Sequence, residues 1–408
     1  MTVVAVQRSA DALMSPAAIR ARCANIAAAV TAGHSHHFRI DRARLGDAAA
    51  RVAAITRRRY PALAVPYHSR WRHFEAGGVD RHHELDVALT GRSASEVARA
   101  HIDLAVVSVL LDAGAGAAWG YVEASSGRGY TRSEGLGVAS IRAFMGGAFS
   151  ASAADPCRVD ATALAIMDTA KLARWFQVGP QNPLVGLEGR VALLQRLGAA
   201  LRKGDSMFAA TGRPGALYDA LTRHGQLRTV HAAAILRALL DGLNAIWLTG
   251  NAIDGVPLGD AWRHPHAGGT GPTAGWVPFH KLSQWLTYSL FEPFEWAGVE
   301  VMGRDELTGL PEYRNGGLLL DTGVLALRNS VDAATTWDVG SEIIVEWRAL
   351  TVALLDELAP LVRKHLGVPD LPFACILEGG TWAAGRELAA ASRDGAPPLS
   401  ISSDGTVF

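Results

Sequence analysis

The chain has 408 residues, of which 49% are hydrophobic and 19% are charged, enough apolar side chains for a large buried core. Lysine plus arginine equals aspartate plus glutamate at 39 each, so the formal net charge is zero. That balance argues against nucleic-acid or anionic-membrane binding as the main task, since both need a basic surplus. The three cysteines lie far apart without a CxxC pair, which excludes a cysteine-only zinc site and is typical of a reducing compartment.

Targeting signals are not evident in the sequence. The N-terminus lacks the basic-then-apolar pattern of a secretory signal. The longest apolar run, Leu104 to Leu111, is too short to span a bilayer. We therefore predict a soluble, cytoplasmic protein that binds neither nucleic acid nor membrane.

Helix signals dominate the first part of the chain. Ser15, followed by proline, predicts the start of a helix that Gly33 ends. A second helix, rich in alanine and arginine, follows it. At Ser93 the spacing to Glu96 fits a capping box, which predicts a further helix running to about Asp112.

Between these helices, the segment YPALAVPYHSRWRHFEAGG (60–78) breaks the helical pattern with two prolines and a glycine pair. It holds five groups suited to ligand binding: His68, Arg70, Trp71, Arg72 and His73. Arginine forks bind phosphate or carboxylate, and an aromatic face stacks on a base or sugar. The segment is predicted to be a ligand-binding loop; the alternative is a surface loop anchored by its tryptophan.

The second half contains a helix that carries Lys281 and Gln284 on its polar side and Trp285 on its apolar side. Pro293 is predicted to end or kink this helix. A long helix is predicted over residues 341–365. The last segment, CILEGGTWAAGRELAAA, predicts a strand-like start, a glycine turn and a helix.

These elements predict a mainly α fold with a few short strands. No internal repeat or low-complexity linker interrupts the chain. The prediction is one compact helical catalytic domain over residues 1–408, with the helices of residues 1–60 packing on its core.

The stretch from Pro278 to Leu325 is the predicted reactive centre, because it joins the lysine-bearing helix to a dense polar loop. Glu312 is a candidate acid, base or cation stabiliser, and Lys281 is predicted to pair with it. The loop also offers Tyr313, Arg314 and Asn315. A buried structural ion pair is the alternative.

Two further carboxylates have open interpretations. Asp321 precedes Thr-Gly, so it is either a ligand-binding residue or a turn residue. Glu378 precedes a glycine pair, so it either lines a pocket or caps the following helix.

Several familiar signals are absent: GxxxxGK, GxSxG and HExxH do not occur. Two short histidine clusters, His34, His36 and His37 and then His82 and His83, lack a nearby cysteine. Metal sites need three or four converging ligands, so these histidines are interpreted as solvated. No metal and no cofactor is predicted.

Four motifs together resemble the uracil catabolism protein 4 family: LTGLPEYRNGGLLLDTGVL, VPFHKLSQWLTYSL, VPYHSRWRHF and LEGGTWAAGR. The resemblance covers nearly the whole chain. It implies a role in a reductase-independent route of uracil degradation. That route is thought to open the pyrimidine ring while it is attached to ribose, leaving a ribosylurea-type intermediate. Cleavage of its N-glycosidic bond would then release urea.

A shorter pattern is similar to the queuosine-salvage nucleosidases: K-x-x-Q, then L-T and an acid-Y-R triplet about thirty residues after the lysine, then G-V-L. It falls here on Lys281, Gln284, Leu307, Thr308, Glu312, Tyr313, Arg314 and residues 323–325. The resemblance implies a helical fold related to DNA glycosylases, with the lysine and the acid in the active site. This chain departs from it by having Glu312 where those enzymes have aspartate, and Asn-Gly-Gly after the arginine.

The resemblances imply a hydrolase of N-glycosidase type that acts on ribosylurea or its 5-phosphate. Glu312 would face the anomeric carbon, held ionised by Lys281, and a proton would reach the leaving nitrogen from His280, His73 or Glu378. Arginines 70, 72 and 314 would bind a 5-phosphate, and Trp71, Trp262 and Trp285 would wall the pocket. The alternatives are an amidohydrolase acting on a ureido intermediate and a non-catalytic binding protein of the same pathway.

Overall fold

The computed structural model describes residues 9–204 and 206–402. Helices carry most of this chain and the strands are two or three residues long, so the mainly α prediction is confirmed. The chain folds into two compact units, one made of residues 9–68, 251–284 and 303–402, the other of 69–204, 206–250 and 285–302. The single catalytic domain and the likeness to DNA glycosylases stay predictions.

The described residues of the first unit form several helices and four two-stranded pairs. The helices are Pro16–Thr31, Leu45–Arg59, Tyr313–Asp321, Glu342–Leu366, Phe373–Ile376 and Trp382–Arg393, with the start of Lys281–Trp296. The antiparallel pairs are Phe38–Ile40 with Leu325–Leu327, Ala252–Ile253 with Val256–Pro257, and Ala261–Arg263 with Trp276–Pro278. Thr336–Asp338 and Ser400–Ser402 pair in parallel.

The helix Glu342–Leu366, here called the closing helix, forms the centre of the first unit. Its residues from Ile343 to Val352 are all buried, and it packs against Pro16–Thr31 and Leu45–Arg59. It ends at Gly367, whose φ of +72° is the left-handed conformation that glycine adopts without strain. The predicted helix over 341–365 is thus confirmed.

The C-terminal segment of the first unit differs from its prediction. Phe373–Ile376, a π turn over Leu377–Thr381 and Trp382–Arg393 form one continuous helical rod, so the strand-like start and the glycine turn were wrong. The two glycines serve close packing instead: a Cβ at Gly380 would lie 2.4 Å from Val52. A glycine pair signals close backbone approach as readily as a turn.

The second unit is built around the helix Ala94–Leu110, which contains most of the long apolar run. Every residue from Ala100 to Leu110 is buried, and Ser93 caps the helix by accepting a hydrogen bond from the backbone of Glu96, as predicted. Its other helices are Trp71–Phe74, Arg81–Ala88, Arg132–Met145, Ala161–Ala165, Thr169–Trp175, Leu187–Leu201, Ala216–Thr222 and Ala232–Leu243, with the rest of Lys281–Trp296. Its strand pairs are Gly120–Val122 with Gly129–Thr131, antiparallel, and Thr229–His231 with Glu300–Met302, parallel.

A helix with the length and apolar content needed to cross a membrane is not found among the described residues.

The helix Lys281–Trp296, here called the lysine helix, continues past Pro293 for one more turn, so Pro293 does not end it, and the predicted alternative of a kink stays a prediction. Proline lacks the N–H that would bond to the carbonyl of Ser289 four residues earlier. In this structure the indole N–H of Trp71 donates a hydrogen bond to that carbonyl at a distance of 2.9 Å. The contact satisfies the acceptor that proline leaves open, and the helix persists.

Two predicted loops are partly helical. Trp71–Phe74 is a short helix inside the segment 60–78. The polar residues after Glu312 begin the helix Tyr313–Asp321, here called the acid helix. The polar composition of both segments predicted loops. Tertiary packing and, for the acid helix, the N-cap carboxylate of Glu312 stabilise helical structure instead.

Candidate functional site

The carboxylate of Glu312 caps the acid helix. One oxygen accepts from the backbone N–H of Arg314 at 2.8 Å and the other from that of Asn315 at 2.6 Å. An acidic side chain is stabilised at a helix N-terminus by these N–H groups and by the helix dipole. Each oxygen retains a second lone pair, so capping does not exclude contact with a ligand.

The electrostatic surroundings of Glu312 act in two directions. Burial of its carboxyl group raises the pKa of Glu312 above the ordinary value. The N–H groups of Arg314 and Asn315 and the positive charges of His68 and Lys281 lower it, without offsetting the burial. The structure therefore brings Lys281 and His68 into the field of Glu312, and the carboxyl group holds its proton more tightly than the sequence analysis expected.

Gln284 fixes the lysine helix to the segment that leads to Glu312. Its side-chain N–H donates to the Thr308 hydroxyl at 2.7 Å, and its oxygen accepts from the Thr308 backbone N–H at 2.9 Å. Both residues are fully buried. The K-x-x-Q and L-T parts of the sequence pattern are thus in direct contact, which makes Gln284 a positioning residue for Glu312.

A second carboxylate, Glu378, forms a pair with His68 across 2.9 Å. Arg59 donates to the other oxygen at 3.0 Å, and the Tyr60 hydroxyl lies 3.3 Å from it. Burial raises the pKa of Glu378, but His68 and Arg59 outweigh it, so the pKa lies below its ordinary value. Glu378 lies in the π turn Leu377–Thr381, a feature that is frequent at functional sites.

Arg314 is buried with part of its guanidinium unsatisfied. The residue is 3% exposed, and its Nε and Nη1 atoms have no hydrogen-bond partner among the described residues. Its guanidinium lies 4.8 Å from the ring of Tyr313 and 6.0 Å from that of Trp382, which in turn lies 6.1 Å from the ring of His68. Each of these two donors, beside aromatic faces, can bind an acceptor oxygen of a ligand.

Asn315 is the other polar residue at the start of the acid helix. It is fully buried, and its amide N–H donates to the carbonyl of Leu310 at 3.1 Å. Its amide oxygen has no partner within the described part of the chain. We call Glu312, Lys281, His68, Glu378 and Arg314 the acid cluster, with Asn315 at its edge.

Trp262 belongs to a closed network around Asp260. The Asp260 carboxylate accepts from both terminal nitrogens of Arg348, at 2.9 and 2.7 Å, from the Trp262 indole at 2.7 Å and from the Lys281 backbone N–H at 2.9 Å. Burial raises the pKa of Asp260, but these contacts outweigh it and hold the pKa at about 2. The network anchors the start of the lysine helix, and Trp262 is part of that anchor.

His280 and Asp321 have structural partners. The Nε2 atom of His280 lies 3.2 Å from the carbonyl of Leu13, and burial lowers the pKa of the ring. Its φ of +48° is uncommon for a residue other than glycine. Asp321 accepts hydrogen bonds from both terminal nitrogens of Arg393, at 2.6 and 2.8 Å, and its two interpretations stay predictions.

The remaining predicted residues lie in the second unit. Arg70 donates to the Ser108 hydroxyl and to Asp112, both at 2.6 Å. Arg72 donates to Glu75 at 2.9 Å and to Glu292 at 2.5 Å. Both forks therefore engage protein groups.

The aromatic residues of this set form ring contacts within the second unit. The ring of His73 stands perpendicular to that of Trp285 with 5.7 Å between centroids, and Trp71 is packed against Phe74 at 5.2 Å. Trp71 also donates to the carbonyl that Pro293 leaves open. The ligand-binding role of these residues stays a prediction.

Glu292 is a titratable residue that the sequence analysis missed. It accepts hydrogen bonds from the Ser69 hydroxyl and from Arg72 in the second unit. Burial raises the pKa of Glu292 to about 7, against the charge of Arg72. A carboxylate inside the apolar run YSLFEPF was the available signal, because such a residue is costly to bury without a partner.

Outside the acid cluster, two groups in the described chain have metal-ligating composition. They are His82 with Asp86 and His101, and His264 with Glu342 and Glu346. The first includes one of the histidines that the sequence analysis interpreted as solvated.

Comparison with known proteins finds relatives that match most of the chain. The family described as "Protein of unknown function (DUF1688)" matches residues 12–408. The chain is 40% identical to "Uracil catabolism protein 4" of Lachancea kluyveri over 92% of this chain and 93% of that protein. It is 41% identical to "Protein urg3" of Schizosaccharomyces pombe over 84% of each. The resemblance to the uracil catabolism protein 4 family is confirmed.

Proposed function

The chain belongs to the DUF1688 family, and from that premise we propose that it acts in uracil catabolism as an N-glycosidase that releases urea from ribosylurea or its 5-phosphate. The observation that carries the proposal is the acid cluster. It combines a carboxylate, a histidine–carboxylate pair, and a buried arginine with two unsatisfied nitrogens. Its ligand is a small ribosyl or ribose-phosphate molecule.

Hydrolysis breaks the bond between the anomeric carbon and the urea nitrogen and adds water to that carbon. The transition state resembles an oxocarbenium ion, so a nearby carboxylate lowers its energy. Glu312 has this role in the proposal. Burial raises the pKa of Glu312 and so disfavours its ionised form. The positive charges of Lys281 and His68 favour the ionised form before the sugar gains charge.

The leaving nitrogen of urea must gain a proton as the bond breaks. We assign that proton to His68, whose ring is held through Nδ1 by Glu378. His280 is less suitable, since its Nε2 engages the Leu13 carbonyl and burial lowers its pKa. This choice replaces the donors considered from the sequence.

Arg314 supplies the anchor for the sugar end of the substrate. Its unsatisfied nitrogens would bind phosphate oxygens if the substrate is ribosylurea 5-phosphate, and hydroxyl oxygens if it is ribosylurea. Phosphate carries the larger charge, so the proposal favours the phosphorylated substrate.

The test is to incubate the purified protein with ribosylurea and, separately, with its 5-phosphate, and to measure urea and ribose products. We expect urea and free sugar in equal amounts. Glu312→Gln should lower kcat by about 100-fold or more, since it removes the negative charge while keeping an oxygen for the cap. Ammonia in place of urea would instead indicate an amidohydrolase.

The matched control is Asp168→Asn, which makes the same chemical change at another helix N-cap. Asp168 accepts from the Lys171 backbone N–H at 2.7 Å and caps Thr169–Trp175 in the second unit. Its loss should cost about 1 kcal/mol of stability at most and leave kcat unchanged. Absence of products from both substrates, or full activity of Glu312→Gln, would overturn the proposal.

A further inference from the structure

Three metal-ligating side chains of the second unit converge on one point. His82 and Asp86 lie one turn apart on the helix Arg81–Ala88, and His101 approaches from the helix Ala94–Leu110. One oxygen of Asp86 lies 3.0 Å from His101 Nε2, and the other lies 3.5 Å from His82 Nε2. All three ligand atoms fall within 4.8 Å of one another.

Two of these separations, 3.0 and 3.5 Å, are close to those of ligands around a single ion. With zinc–nitrogen and zinc–oxygen bonds of about 2.0–2.2 Å, tetrahedral ligand atoms lie about 3.3–3.5 Å apart. From this geometry we infer that His82, Asp86 and His101 form a binding site for a divalent transition-metal ion of the zinc type, with a position open to solvent. The inference is independent of the proposed urea release.

The contacts of the three residues distinguish this site from a simple hydrogen-bonded trio. The Nε2 atom of His82 is buried and has no hydrogen-bond partner in the part of the chain that is described. A gap of 3.5 Å to Asp86 is too long for a good hydrogen bond but suits two ligands of one ion. Asp86 has a side chain 43% exposed, so an ion can enter from solvent.

The donor set of the cluster also fits a metal. One carboxylate and two imidazoles are a common donor set for ions of the zinc type.

The ring orientations are already fixed by aromatic packing. Trp296 stacks on His82 with 4.0 Å between centroids and an angle of 20°, and Trp71 stands edge-on to both His82 and His101 at 5.2 and 5.4 Å. Preorganised ligands bind a metal with less loss of side-chain freedom. The tryptophans also place two fluorophores beside the site.

The other ligand group, His264 with Glu342 and Glu346, is less suited to a metal. The Nδ1 atom of His264 accepts from the backbone N–H of His266 at 3.2 Å. A neutral ring that accepts at Nδ1 carries its proton on Nε2, and Nε2 faces Glu346 at 3.3 Å. That tautomer leaves no lone pair on Nε2 for a metal ion.

The experiment begins with full-length protein freed of metal by a chelator and then titrated with Zn²⁺ against a chromophoric competitor. We expect one ion per chain. His82→Gln and Asp86→Asn should weaken binding by at least about 10- to 100-fold, the loss seen when even an outer-sphere partner of a metal site is removed. His83→Gln, the exposed neighbour on the same helix, and His264→Gln should bind as the unaltered protein does.

A spectroscopic measurement locates the ion. Co²⁺ at this site should quench tryptophan fluorescence in the unaltered protein, and Trp296→Phe should remove part of the quenched signal without changing Zn²⁺ stoichiometry. Zn²⁺ binding that survives His82→Gln and Asp86→Asn, or that is lost in His264→Gln alone, would overturn the inference. Absence of stoichiometric binding in the unaltered protein would also overturn it.

Discussion

Two buried arginines of the first unit differ in what surrounds them. Arg348, on the closing helix, is 1% exposed and donates both terminal nitrogens to Asp260. Arg314, on the acid helix, is 3% exposed, but its Nε and Nη1 have no partner among the described residues. A buried charge is costly unless it is paired, so the second arginine is retained at a cost that the first avoids.

The comparison separates a structural role from a binding role within one unit. Arg348 pairs both terminal nitrogens with one carboxylate of the folded chain. Arg314 has no such pair among the described residues, and two of its donors remain available to a ligand. Three predictions test this difference.

The largest expected effect concerns stability. Arg348→Met should lower the free energy of unfolding by about 3–5 kcal/mol, because it leaves Asp260 charged and buried without its partner. Arg314→Met should change stability by less than about 1 kcal/mol, since no pair is broken. Denaturant unfolding of both variants is the measurement, and equal losses would remove the distinction.

The second prediction concerns ligand binding. Ribose 5-phosphate at about 100 times its Kd should stabilise the unaltered protein by about 2.7 kcal/mol, and Arg314→Met should abolish this gain. The control is Arg393→Met, which removes an arginine paired with Asp321 on the same unit. If ribose 5-phosphate raised the Tm of Arg314→Met as much as that of the unaltered protein, the anion would bind at another site.

The third prediction extends the comparison to Arg72 of the second unit, which is paired with Glu292. The pKa of Glu292 is raised from its ordinary value of 4.5 to about 7, so the folded state holds a proton that the unfolded chain releases earlier. This contribution to stability is complete below about pH 4.5 and is lost as the pH rises to about 7, with a slope of up to about 1.4 kcal/mol per pH unit. Glu292→Gln should flatten the curve of unfolding free energy against pH over that range. A slope that persists unchanged in the variant would show that other groups cause it.

Local signals in the sequence predicted the ends of several helices. Ser15 and Ser93 accept hydrogen bonds from the first turn of their helices, and Gly367 ends the closing helix, because capping depends on residues a few positions apart. Gln284 and Thr308, which belong to one sequence pattern, are in contact in the structure, although that contact was not predicted. Such motifs carry information about contacts that periodicity does not.

Long-range partners had no comparable signal. Asp260 and Arg348 are 88 positions apart, and nothing in the residues beside either one specifies the other. The same holds for Trp71, whose indole N–H allows the lysine helix to continue through Pro293. Pro293 was identified from the sequence as a residue that disrupts helices. The residue that offsets this disruption, Trp71, lies more than two hundred positions away.

The π turn before Trp382 has a geometric consequence for the C-terminal rod. A π turn holds one residue more than an α turn, so the side chains after it are rotated by about 100° relative to an uninterrupted helix. The rod therefore has two phases: the first turns Glu378 toward His68 and Arg59, and the second places Gly385 where any Cβ would lie 2.0 Å from the carbonyl of Arg314. Because of this one inserted residue, a single helix supplies Glu378 to the acid cluster and also packs closely against the start of the acid helix.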